Sequence, residues 1–182
     1  ATLREMPVML VNVLGVKLRL VGGYTGSRDI ILAMERNEVH GMCGMDWSSM
    51  LTQRRDWVES GFVRALVQED LIGHPELTKN NVPLAINFAK TPSDRQVMEI
   101  MYSGNMFGRP YLLPPEVPAD RVAALREAFT KMVSDKQFLS EAEKAQMEIS
   151  PMTGTELQDV VAKLYAMPPE VVEKLKRSMV YK

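Results

Sequence analysis

One cysteine, two histidines and 7% aromatic residues are all that the 182 residues hold of the side chains that usually carry redox, metal and stacking chemistry. With Cys43 alone, an intramolecular disulfide and a cysteine-based zinc site are impossible. His40 and His74 stand at no motif-like distance from Cys43, so the thiol has no evident base and reads as a small buried hydrophobe. No apolar run approaches the roughly 20 residues that cross a bilayer, and no charged segment followed by an apolar one opens the chain as a signal peptide would. The formal net charge of −1 supplies no basic face for nucleic acid or an anionic membrane surface. There is no internal repeat and no low-complexity tract.

What is present is an ordinary globular composition, 46% hydrophobic and 25% charged, enough for one domain or for one large lobe with a tail. Met6, Met9, Met34, Met42, Met98 and Met101 fall at apolar positions of periodic segments, which assigns them to packing rather than to a binding groove.

The richest stretch runs from Lys17 to Ser49. Lys17, Leu18, Arg19, Leu20 and Val21 alternate as a strand does; Gly22, Gly23 and Gly26 then give backbone freedom for a tight exit into a helix. A helix start carries unsatisfied N–H donors and partial positive charge, so a carboxylate or phosphate is its natural guest. Ile30, Ile31 and Met34 mark the helix, Asn37 its left-handed stop, and Val39 to Gly44 a short buried strand. Asp46 beside Trp47 reads either as an acid in an aromatic pocket or as the cap of a helix over 47–55; the cap is the simpler reading.

Elsewhere, apolar spacing predicts a helix over 3–14 that ends at Gly15, with Pro7 in its first turn. Phe62 to Gln68 is strand-like, and 75–89 holds turns and a short helix. The order βαβαβ favours a parallel sheet with crossover helices. A helix over 94–103 follows, then an extended run over 107–113 closed by Pro114, Pro115 and Pro118. Helices are predicted over 121–133 with Asp120 as cap, over 138–147 entered through Ser134 to Lys136, over 155–164, and after Met167 to Glu170.

The phrases LRLVGGYTGSRDIILAMERNEVHG, FVRALVQED with HPELTKNNVPLAINFA, GRPYLLPPEVPADRVAALREAFTKMVSDKQFL and ISPMTGTELQDVV, in that order, resemble the substrate-binding proteins of tripartite tricarboxylate transporters, the Bug family. The resemblance covers about Lys17 to Leu164. It implies an α/β, periplasmic-binding-protein-like (type II, Venus-flytrap) lobe over 1–105, and over 106–182 a crossover strand and helices returning to an incomplete first lobe, the chain corresponding to the C-terminal half of a receptor. It also implies a periplasmic location and a solute receptor that passes a small carboxylate to the membrane components of the transporter, without enzymatic turnover, cofactor or metal.

On that reading Tyr24, Thr25, Gly26 and Ser27 contact ligand through backbone N–H groups, and Gly44 and Asp46 follow the next strand into the same cleft. Arg28 stands where the family often has a third glycine, His40 where it has aspartate, and Asn37 where it has glycine. Arg28 either pairs the ligand carboxylate or forms a surface pair with Asp29 or Glu35. Two competing readings belong to other classes. An enzyme needs a nucleophile with its base, and GYTGSR lacks both the phosphate-loop lysine pattern and the dinucleotide fingerprint. An interaction module would use helices left without their sheet as a docking surface; in a receptor lacking its first half, their apolar faces at Val122, Leu125 and Phe129 are expected to drive aggregation, segment swapping or homodimerisation.

Overall fold

A computed structural model describes residues 2–108, 110–145 and 147–180. Helix α1 (Thr2–Met9) passes into a π-helical turn at Leu10–Leu14, followed by α2 (Ser27–Glu35), α3 (Trp47–Glu59), α4 (Pro75–Lys79) and a 3-10 turn at Ala85–Phe88. Then come α5 (Pro92–Met106), α6 (Ala119–Val133), α7 (Lys136–Lys144), α8 (Gly154–Tyr165) and α9 (Pro169–Ser178).

This corrects the expected fold class. Among the described residues there is no sheet, and the one strand-type pairing is an isolated parallel bridge between Gln68 and Leu84. Lys17 to Val21, Val39 to Gly44 and Phe62 to Val67 form no ladder, so the chain is helical rather than a periplasmic-binding-protein-like α/β lobe with crossover helices. Nor is the extended run after Phe107 a crossover strand; its Arg109 lies outside the described residues.

The reason lies in where the helices bury their apolar faces. A parallel sheet needs helices laid on both sides of it. Here α1, its π turn, the 3-10 turn, α5 and α9 supply one shared core of Met6, Met9, Leu10, Val13, Ala85, Ile86, Val97, Met98, Tyr102 and Val171. Leu18 and Val21, with the charged Lys17 and Arg19, are left exposed. Alternation along one segment is a local property; a ladder also needs a neighbour, and the helices have taken the faces that a sheet would have covered.

Two compact units result, Ala1–Ser103 with Met167–Lys182, and Gly104–Ala166. In the first, α9 is tied back by Asn12 Nδ2, which donates to the Ser178 carbonyl at 2.8 Å, and by Lys174 Nζ against Asp94 Oδ1 at 2.7 Å. A second cluster joins Ile31 and Met34 of α2 to Trp57 of α3. Over it lies the Arg54 guanidinium, 3.9 Å from the Trp57 ring centre and paired with Glu35 and Asp56. Arg54 leaves the helical backbone region (φ −146°, ψ 50°), which kinks α3.

Local stop and start signals fall where the sequence puts them. The first helical segment ends at Gly15 (φ 73°) and α2 is followed by Asn37 (φ 57°). Asp135 accepts from the Phe138 N–H at 2.8 Å to open α7, and Thr153 with Glu156 forms a capping box at α8. Two details differ. Pro7 lies inside α1 rather than in its first turn, and the widened π turn begins three residues later. Asp120 lies within α6, whose cap position is Pro118; its carboxylate faces the helix dipole from the first turn instead of bonding an end N–H.

In the second unit the only buried residue of α6, α7 and α8 is Ala142. Leu125 is exposed while Val122 and Phe129 are half-buried, Phe129 lying 6.0 Å from Tyr111 between ring centres. Arg126 Nη2 reaches Gln158 Oε1 at 2.6 Å and fastens α6 to α8.

Candidate functional site

The loop ahead of α2 does grip a carboxylate, and the carboxylate is its own. The Thr25 amide N–H donates to Asp29 Oδ2 at 3.1 Å, and the Thr25 hydroxyl donates to the same oxygen. Gly26, extended at φ −178°, is the cap residue of α2 and Ser27 its first residue. Asp29 sits in the first turn, where the dipole favours a negative charge. The Thr25 hydroxyl, followed by the Thr25 amide, holds the Asp29 carboxyl below the usual carboxylate range.

Tyr24 is half-buried beside this loop and Arg28 is exposed, without a hydrogen bond or ion pair among the described residues. Its two sequence-predicted surface partners are engaged elsewhere, Asp29 with Thr25 and Glu35 with Arg54. Asp46 caps α3, accepting from the Ser49 N–H at 3.0 Å and the Ser49 hydroxyl at 2.9 Å. No hydrogen bond or ion pair joins Tyr24, Thr25, Gly26, Ser27 or Arg28 to Gly44 or Asp46 among the described residues.

Gly44 leads instead to a group that sequence reasoning missed. In a left-handed conformation (φ 71°), it turns its amide N–H to Glu69 Oε2 at 3.1 Å. Burial pushes the Glu69 carboxyl up to about 7, and the Gly44 N–H opposes the shift only in part. Burial and then the Glu69 charge push the neighbouring Cys43 thiol up to about 12, which leaves it protonated and a poor nucleophile.

Tyr102, at the centre of the core, feels the same burial and the charges of Glu69, Cys43 and Asp70, all of which raise its hydroxyl's pKa. That hydroxyl has no hydrogen-bond partner among the described residues. A buried hydroxyl without a partner costs about 1 to 3 kcal/mol. Tyr102→Phe is therefore expected to stabilise the chain by about 1 kcal/mol in urea unfolding; a loss of stability would show that the hydroxyl is bonded.

Gln68, next to Glu69, organises the loop through which the acid is presented. Its side chain donates to the Val82 carbonyl at 2.7 Å and accepts from the His74 N–H at 2.7 Å. Its backbone donates to the Pro83 carbonyl and accepts from the Ala85 N–H, both at 2.8 Å. A Cβ on Gly73 would stand 2.5 Å from Thr78 Oγ1, so the turn closes too tightly for a side chain there.

The two carboxylates that the arrangement holds are the chain's own, Asp29 at Thr25 and Glu69 at the Gly44 N–H. Among the described residues no three His, Cys, Asp or Glu side chains are grouped to hold a metal, and no helix is long and apolar enough to cross a membrane. Comparison with known protein families, curated proteins and solved structures found no match.

Proposed function

We propose that this chain captures a small carboxylate at the Tyr24–Ser27 loop, as a solute receptor for a tripartite tricarboxylate transporter in the periplasm. The Thr25 contact with Asp29 carries the reading: the loop's amide and hydroxyl converge on one carboxylate oxygen, the donor set that a carboxylate ligand needs. The ordered sequence phrases support the transporter role. The helical fold lends no support to a two-lobed clamp, so recognition rests on the loop and on the exposed Arg28 beside it. In this reading the chain binds its ligand without turning it over.

In this reading Asp29 is an internal competitor that a ligand carboxylate displaces. Calorimetry with citrate, glutarate, glutamate and an aromatic carboxylate tests it. Asp29→Asn is expected to bind one of them roughly tenfold tighter than the wild-type chain, a difference of about 1.4 kcal/mol, and Thr25→Val to lose that gain when combined with it. Absence of heat from all four with both the wild-type chain and Asp29→Asn would end the proposal.

A further inference from the structure

Between α5 and α6 the backbone is held by little. Every residue from Pro110 to Glu116 is exposed, Tyr111 by 85%, Leu112 by 80% and Leu113 by 45%. No hydrogen bond joins residues 110–117 to another described residue, and the ring contact of Tyr111 with Phe129, at 6.0 Å, leaves the tyrosine mostly in solvent. Pro114 and Pro115 push the residues before them, Leu113 and Pro114, into extended backbone. An exposed, extended segment is what an endoprotease cleft takes, because the cleft pairs with substrate backbone as a neighbouring strand does. Other exposed apolar side chains lack such a backbone. Tyr165, at 89%, ends α8, where the Ala166 N–H donates to the Ala162 carbonyl at 3.1 Å. Leu66, at 76%, is followed by Val67, packed on the core, and by the bonded Gln68.

We propose that Tyr111–Leu113 is a cleavage site for an endoprotease with an apolar primary pocket, and that the two pieces stay together after the cut. Water adds across the Tyr111–Leu112 or the Leu112–Leu113 peptide bond, its hydroxyl going to the carbonyl carbon and its proton to the departing amine. The ring of Pro114 removes the N–H and stiffens the backbone, which spares the Leu113–Pro114 bond. Helix α9 lies beyond the cut and holds the pieces. Its Val171 is 2% exposed in the core that α1 and α5 help to build, with Leu175 and Met179 packed against that core. Asn12 Nδ2 donates to the Ser178 and Val180 carbonyls at 2.8 and 3.0 Å, and Lys174 pairs with Asp94 at 2.7 Å. Cleavage therefore turns a tethered helix into one held by contacts alone. The site is independent of carboxylate capture, because Thr25 and Asp29 belong to the other unit.

Brief digestion of the folded chain with chymotrypsin, read by mass spectrometry, tests the site. The first cut is expected after Tyr111 or Leu112, at least tenfold faster than any cut after Tyr165 or Leu66. The pieces are expected to sediment together as the uncut chain does and to separate in urea. Tyr111→Ser combined with Leu112→Ser is expected to slow that cut at least tenfold. Val171→Ala in the core, and Asn12→Ala outside it, are expected to let the cut pieces part at least tenfold more readily, while each uncut variant keeps its helical circular dichroism. A first cut elsewhere, a cut that the double substitution does not slow, or wild-type pieces that part without denaturant would overturn the proposal. So would pieces that neither α9 contact variant loosens.

Discussion

Replacing Glu69 by glutamine is expected to stabilise the folded chain at alkaline pH and to flatten its dependence on pH. In the unfolded chain the carboxyl titrates at its ordinary value of 4.5; in the fold, burial holds it near 7. Below 4.5 it is protonated in both states and costs nothing. As pH rises from 4.5 to 7, the unfolded chain gives up the proton while the folded chain keeps it, so stability falls across that window. Above 7 the penalty is complete, on the order of 3 kcal/mol at about 1.4 kcal/mol per pH unit.

Asp70 and the Cys43 thiol, which act on Tyr102 alongside Glu69, do not supply this slope, since burial raises Glu69 and the Gly44 N–H opposes that rise. Glutamine keeps an oxygen for the Gly44 N–H and carries no charge, so Glu69→Gln removes the penalty without removing the bond. Urea unfolding measured from pH 4 to pH 9 reads the effect directly. A wild-type curve that is flat or rises between 4.5 and 7, or a variant with the same slope as the wild type, would show that Glu69 is not held protonated by the fold.

Gln68→Leu is the opposite experiment on the adjacent residue. The leucine fits the site's size but takes the acceptor from the His74 N–H and the donor from the Val82 carbonyl. Two half-buried backbone groups that lose a hydrogen bond cost about 0.5 to 1.5 kcal/mol each, so a destabilisation on the order of 2 kcal/mol is expected. Hydrogen exchange should localise it: the Ala85 amide, bonded to the Gln68 carbonyl, is expected to lose protection while α5 amides keep theirs. A variant as stable as the wild-type chain would mean that the loop closes through its backbone bonds alone.

The two substitutions also mark the limit of what the sequence displays. Caps and stops were legible at Asp46, Asn37 and Asp135, which act on groups a few residues away, although the Thr153 capping box of α8 was not singled out. The sheet was misread because strand-like alternation at Lys17 to Val21 and Phe62 to Gln68 says nothing about whether a neighbouring strand exists. Among the described residues Gln68 makes the one parallel bridge, with Leu84, and its side chain closes the turns expected between them into a compact loop, so the strand-like run ends without a ladder.

Glu69 was missed for a similar reason. An acid followed by Asp70 at the end of an apolar run reads as a solvated strand end. Its burial follows from its fold neighbours Cys43 and Tyr102, which stand far from it in sequence. The anion loop was readable as a donor set, and Asp29 was visible four residues after Thr25. That the loop's own aspartate occupies it is a rotamer-level fact that spacing permits but does not dictate.

The claim on which the functional account turns is that the Thr25 donors are a carboxylate grip open to exchange. Amide-resolved NMR of Asp29→Asn during a citrate or glutarate titration tests it most directly. The account predicts that the Thr25 amide moves downfield and saturates together with its neighbours at Gly26 and Ser27, and that the wild-type chain needs more ligand for the same shift. A Thr25 amide that stays still while resonances elsewhere respond, or while none do, would contradict it.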